Sequence, residues 1–239
     1  MNFVIGDLHG EISKLKILIK TIKKQTATPS FIFLGDYIDK GENSKRTLDY
    51  LIRLKDKYPT IFLMGNHEYY WFNLKKYKDL ILKYGGLKTV KDFGFNSIEN
   101  CKKLIFSQYS DIFARLRGCF ETEKYFISHS GMPPKKFKSE YINKMDISLF
   151  LFNRYDFIKE QNFFKKKKIF IFGHTAFYSP YVDKYKIGID TGPCYSNKQP
   201  LTSFCIETES FIDSRGSVYE LKNANYNNCP LIIRKDVYK

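Results

Sequence analysis

The chain has 239 residues, 43% of them hydrophobic, which is enough apolar surface to exclude an intrinsically disordered protein. Lys and Arg total 40 against 25 Asp and Glu; the resulting charge of +15 favours acidic or phosphate-rich partners at long range and equally suits a solvated basic surface. The five cysteines, an odd number with no Cys-x-x-Cys pair, give neither a disulfide framework nor a zinc knuckle. No apolar run approaches the roughly 20 residues of a membrane span. The first motif begins at Gly6 and leaves no room for a signal peptide, so a cytoplasmic location without membrane contact is expected.

Phe3-Val4-Ile5 reads as a strand ending at Gly6-Asp7. Ile12, Leu15, Leu18, Ile19 and Ile22 recur at helical spacing and predict an amphipathic helix. Residues 31–34 form an apolar strand ending at Gly35-Asp36, and Ser44 is the candidate cap of a helix carrying Leu48, Leu51 and Leu54. Residues 61–64 form a third strand, ending at Gly65-Asn66. Three such units in succession predict a parallel or mixed sheet. Residues 69–123 read as mostly helical, broken at Gly85-Gly86 and Gly94. Residues 125–127, 169–172 and 187–189 are further strands, 165–168 a charged turn, and 202–211 alternate as one more strand. The expected organisation is one domain over 1–239. Residues 70–124 would form a helical cap-like insertion, and 212–239 a C-terminal extension that is either a strand pair or a tail.

All four histidines lie in short motifs that also carry glycine, acid, amide or hydroxyl residues. These are Gly6-Asp7-Leu8-His9-Gly10, Gly65-Asn66-His67-Glu68, Ser128-His129-Ser130-Gly131 and Gly173-His174-Thr175. Gly35-Asp36-Tyr37-Ile38-Asp39-Lys40-Gly41 stands between the first two. Each motif follows the carboxyl end of a predicted strand, the edge at which open α/β sheets bind ligands. Carboxylate, amide and imidazole donors in this number can hold two adjacent divalent metals, and the absence of thiolates argues against a structural zinc cage.

In this order the motifs resemble the phosphoprotein phosphatase branch of the calcineurin-like metallophosphoesterases, above all its compact bacterial and phage members. The resemblance runs from about residue 3 to 208. It takes in Tyr84-Gly85-Gly86, Arg154 within residues 149–157, and Ile189-Asp190-Thr191-Gly192 before Leu201-Thr202. It implies a four-layer α/β/β/α sandwich with two mixed sheets. It also implies that Asp7 and His9 bind a first metal, that Asp36 bridges both, and that Asn66, His129 and His174 bind the second. Manganese is the expected metal, with iron, zinc, nickel or cobalt as alternatives.

The reaction implied is phosphoester hydrolysis by direct attack of a metal-bridging hydroxide. His67 would protonate the leaving oxygen and Asp39 would orient its imidazole. Arg154, Lys40 and Asn66 would hold the phosphate. The family usually carries arginine where Lys40 stands, and lysine offers a point charge in place of a bidentate fork; the competing reading of Lys40 is a solvated loop lysine. Tyr69 is a candidate for a substrate groove, against core packing of the aromatic run it opens. The Thr175 hydroxyl is expected to cap its turn. The resemblance implies a serine/threonine, and also tyrosine, protein phosphatase. The alternatives are a symmetrical diadenosine tetraphosphatase or related dinucleoside polyphosphate or RNA-cap hydrolase and, remotely, a silent phosphate-binding module. The partners expected are phosphorylated proteins or nucleotides.

Overall fold

The computed structural model describes residues 1–41, 43–133, 146–160 and 168–223. Short runs of Phe, Ile and Val form most of its strands, because branched and aromatic side chains pack well on a pleated surface. The strands are β1 (Asn2–Ile5), β2 (Ser30–Phe33), β3 (Thr60–Phe62), β4 (Cys119–Glu121), β5 (Tyr125–Ser128), β6 (Ile169–Phe172), β7 (Tyr181–Val182), β8 (Lys186–Gly188), β9 (Thr202–Cys205), β10 (Ser210–Asp213) and β11 (Val218–Glu220). The helices are α1 (Ile12–Ile22), α2 (Ser44–Lys55), α3 (Asn66–Phe72), α4 (Leu74–Lys83), α5 (Gly86–Asp92), α6 (Ile98–Gln108), α7 (Ser110–Phe113) and α8 (Tyr155–Lys159).

Two mixed sheets result. One runs β11-β10-β9-β1-β2-β3 and the other β4-β5-β6-β8-β7. In the first, β1, β2 and β3 are parallel, with Val4 opposite Ile32, while β9 lies antiparallel to β1 with Phe204 opposite Val4. In the second, β5, β6 and β8 are parallel and the edge strands β4 and β7 are antiparallel. Alternation along each strand builds the layers. Phe3 and Ile5 join the core shared with Leu15, Leu18, Leu48 and Leu51 of α1 and α2. Val4 joins Ile127, Ile171 and Phe204 between the sheets, where Tyr125 and Phe204 meet edge-to-face at 5.9 Å. Phe126, Phe170 and Phe172 face Phe157 and Ile158 of α8 on the far side. This is the four-layer arrangement the resemblance implied.

Some local expectations change. Residues 202–211 are not one strand. They form β9 and the start of β10, paired antiparallel with Ser210 opposite Cys205. The turn between them carries no Gly or Pro, and Glu209 supplies its left-handed residue at φ +49°. Ser44 is the first residue of α2 and not its cap; its hydroxyl turns inward to Asp39 and Thr89. Residues 212–223 carry the end of β10, β11 and a 3-10 turn at Leu221–Asn223, completing the first sheet. Residues 224–239 and the 165–167 part of the expected charged turn lie outside the described residues. Among the described residues no helix is long and apolar enough to cross a membrane.

Candidate metal centre

The loops after β1, β2, β3, β5 and β6 end on one edge of the sandwich, and sharp backbone bends aim their side chains inward. Among the described residues six non-glycine positions have positive φ, and five of them are here: His9, Asp36, Asp39, Lys40 and His174. Such conformations cost about 1 kcal/mol or more each, so they persist only where the surroundings dictate them. Cross-links between the loops do this. The N–H groups of Leu8 and His9 both donate to Asp36 O, at 3.1 and 2.7 Å. The Asp36, Tyr37 and Gly65 N–H groups donate to the buried Glu68 carboxylate at 2.8, 2.9 and 3.1 Å. A β-carbon at Gly65 would collide with Asp36, and one at Gly173 with the Asp7 carboxylate, so glycine is required at both.

Asp36 is the hub. His9 Nε2 lies 3.3 Å from Oδ2, His129 Nε2 lies 3.6 Å from Oδ1, and His67 Nε2 lies 3.9 Å from Oδ2. Two groups able to hold a metal share it: His9, Asp36 and His67, and Asp36, His129 and His174, each with ligand atoms within 4.8 Å of one another. Asp7 accepts the His174 N–H at 3.1–3.2 Å and lies 4.0 Å from His129 Nδ1. Asn66 Oδ1 is 3.0 Å from His129 Nε2.

The partner on each Nδ1 separates the histidines by chemistry. His9 Nδ1 faces the Ile38 carbonyl and His129 Nδ1 the Leu34 carbonyl, both at 3.0 Å. A carbonyl only accepts, so both rings carry their proton on Nδ1 and turn the Nε2 lone pair toward the centre, as neutral metal ligands do. The Lys40 ammonium, 2.7 Å from His9 Nε2, points at that lone pair as a cation would. His129 Nε2 and Asn66 Oδ1 likewise bring two lone pairs together, a contact that a metal ion relieves. His67 differs: its Nδ1 is 2.7 Å from the Asp39 carboxylate, which accepts the ring N–H and fixes the direction of Nε2. Proximity places His67 in a ligand group; its partner suits it to proton transfer.

Burial pushes the His9 and His129 pKa values down to about 4, so both are neutral at pH 7. Burial also pushes Asp7 well above the usual carboxylate range, helped by the neighbouring Asp190 and Asp36 charges. Burial opposes ionisation of Asp36, but the surrounding imidazoles of His129, His67 and His9 hold it well below that range. Burial and Asp36 raise Glu68 to about 8 against the pull of its backbone donors. Against burial, Tyr195, Cys194, Asp36 and Asp190 keep Lys40 above the ordinary lysine value, so it is charged. Buried, mutually repelling carboxylates beside neutral imidazoles form a donor set that fits divalent cations.

The structure brings together Asp7, His9, Asp36, Asp39, Lys40, Asn66, His67, His129 and His174. Lys40 is half-buried beside His9 and 5.3 Å above the Tyr195 ring, which is not the setting of a solvated loop lysine. Arg154 enters at the rim, donating from Nη1 to the His174 carbonyl at 3.1 Å. Tyr69 packs on Tyr77 and Phe152 at 5.9 and 5.8 Å, whereas Tyr70 faces the His67 ring at 6.1 Å. The Thr175 hydroxyl, expected to cap its turn, is buried without a hydrogen-bond partner among the described residues. Residues given no role by the sequence are Glu68, Thr89 and Asp190, while Tyr70 and Trp71 enter only as part of the aromatic run that Tyr69 opens. Glu68 and Asp190 stand inside quoted motifs, which was the available signal; Thr89 carries none.

A family model described as calcineurin-like phosphoesterase matches residues 3–204. The chain belongs to this family. The family works with two metals, and the groups centred on Asp36 are this member's candidate ligands. The PP2A-like serine/threonine-protein phosphatase PPG1 of Candida albicans is 31% identical over 148 residues, which cover 60% of this chain and 32% of that protein. The chain thus spans about a third of this relative's length. A cold-active protein-tyrosine phosphatase of a Shewanella species superposes with a TM-score of 0.67 at 14% identity, covering 91% of this chain and 79% of that one. A candidate diadenosine tetraphosphatase gives 0.59 at 16%, covering 89% and 91%. At such identities the likeness to these two concerns the fold.

Proposed function

We propose that this metallophosphoesterase hydrolyses phosphomonoesters on protein serine or threonine, and also tyrosine. The observation that carries the reading is one buried carboxylate, Asp36, shared by histidines with different Nδ1 partners: carbonyls on His9 and His129, a carboxylate on His67. In this reading Asp7, His9 and Asp36 hold one metal, and Asp36, Asn66, His129 and His174 the other, with manganese the expected ion. When bound, such a pair lowers the pKa of an attacking water and neutralises phosphoryl charge.

The chain's own residues do the rest. Arg154 at the rim and the charged Lys40 bind the phosphoryl oxygens, joined by the Asn66 amide, and set the ester in line. His67, oriented by Asp39, gives its proton to the departing oxygen. The centre is nearly closed to solvent at Asp36, which is 1% exposed, so these charges act in a poorly screened environment.

One observation favours a second reading, cleavage of a dinucleoside polyphosphate or RNA cap. The Tyr70 and Phe152 rings stack at 5.8 Å beside His67, and Phe152 is 40% exposed, offering a face to a nucleobase. The deciding measurement is kcat/KM with manganese on a phosphoserine peptide and on diadenosine tetraphosphate, side by side. The first reading expects the peptide to be preferred. A preference for the dinucleotide would replace it with the second.

A further inference from the structure

Helices α3 and α5 both reach the loop that follows β2. Asp39, fully buried on that loop, takes three donors on its carboxylate: His67 Nδ1 at 2.7 Å, Trp71 Nε1 at 3.1–3.2 Å and the Thr89 hydroxyl at 2.8 Å. Thr89 Oγ1 in turn accepts the Asp39 N–H at 3.0 Å. The hydroxyl has one proton, directed to Asp39 Oδ1; its lone pairs remain for Asp39 N–H and for the Ser44 hydroxyl, 3.1 Å away. One side chain therefore grips Asp39 at both backbone and carboxylate. The grip falls on a residue at φ +69°, a conformation an aspartate keeps only when held.

The rest of α5 holds the same loop. Gly85, which caps α5 at φ +101°, lies so close to the Lys40 backbone that a β-carbon would collide with it. Asp92, at the far end of α5, accepts the Lys45 N–H at 2.7 Å. Positions 85, 89 and 92 share one helical face, so a single face of α5 meets residues 40, 39 and 45. A buried carboxylate bonded on both oxygens cannot swing, and an imidazole tied to it inherits that orientation.

We infer that Thr89, supported by Trp71, is a positioning residue for proton delivery: by fixing Asp39 it aims His67 at the leaving oxygen. The inference rests on the reading of His67 as the proton donor. A purely structural Thr89 would satisfy the same hydrogen bonds, so the test must read leaving-group dependence. Thr89→Val keeps the branched shape and removes the hydroxyl; Thr89→Ser restores it. For each, kcat/KM is measured on phenyl phosphate, whose leaving group needs a proton, and on 2,4-dinitrophenyl phosphate, whose leaving group does not. Metal content is followed by elemental analysis.

Thr89→Val is expected to lose about ten-fold more on phenyl phosphate than on the dinitrophenyl ester, with metal content unchanged and the wild-type ratio kept by Thr89→Ser. Equal losses, or none, overturn the role of Thr89. His67→Asn run alongside separates the two levels. A steep leaving-group response in His67→Asn with a flat one in Thr89→Val removes Thr89 alone; a flat response in His67→Asn removes the proton-donor reading and this inference with it. Should Thr89→Val not fold, Trp71→Phe deletes the other neutral donor to Asp39 and is expected to show the same selective loss. An unselective loss there overturns the inference equally.

Discussion

The two sheet edges contribute unequally to the centre. The loops after β1, β2 and β3 bring Asp7, His9, Asp36, Asp39, Lys40, Asn66 and His67, and four of the five strained non-glycine residues of the site. The loops after β5 and β6 bring His129 and His174, of which only His174 has positive φ, at +64°. The first edge also holds its chemistry apart internally. His9 and His67 lie 4.7 Å apart by ring centroid, yet one is tied to a carbonyl and the other to a carboxylate. The lesson is that proximity to Asp36 does not define a ligand; the atom on the far side of each ring does. In the proposed reaction the second edge contributes ligands and, through Arg154, a phosphate contact, while the first holds ligands and donates the proton.

The strongest way to break this comparison is at the residue both edges share. Asp36→Asn removes the charge beside the His9, His129 and His67 rings, all within 3.9 Å of its carboxylate. Activity is expected to fall on the order of a thousand-fold, with occupancy of both metals reduced. Full occupancy by elemental analysis would rule out Asp36 as the bridge. His67→Asn breaks the first edge alone. It is expected to lower turnover of a phosphoserine peptide about a hundred-fold, while p-nitrophenyl phosphate suffers much less, because nitrophenolate leaves unaided. Metal content should not change, and a loss of metal in this variant would return His67 to the ligand set.

Much of this was legible because the site is built from side chains that follow strands in sequence. Apolar runs at 3–5, 31–34, 125–127 and 169–172 mark strands, and the motif after each one lands on the same edge. The sheet order was less legible. Nothing local to β9 says that it inserts beside β1 and so joins the chain's last third to its first strand. The hairpin of β9 and β10 was read through as one strand because its left-handed residue is a glutamate. The contacts of Thr89 and Trp71 with Asp39 were invisible for another reason: 50 and 32 residues separate them from Asp39, and only the packing of α3 and α5 closes those gaps. Tyr69 was favoured over Tyr70 because neighbours on a helix point about a quarter-turn apart, and the sequence does not say which one faces His67.

The smallest expected effect sharpens the first edge without breaking it. Lys40 stands where relatives are expected to carry arginine, and its ammonium lies 2.7 Å from His9 Nε2, on the lone pair assigned to a metal. A bound metal must displace it from that lone pair. A point charge placed there attracts a phosphoryl group but does not fix its rotation, whereas a guanidinium fork bonds two oxygens at once. Lys40→Arg is therefore expected to lower KM for a phosphomonoester by about three-fold, with kcat nearly unchanged. The measurement is a steady-state comparison at saturating manganese. An unchanged KM would mean that the second hydrogen bond of a guanidinium adds nothing to substrate binding at this position.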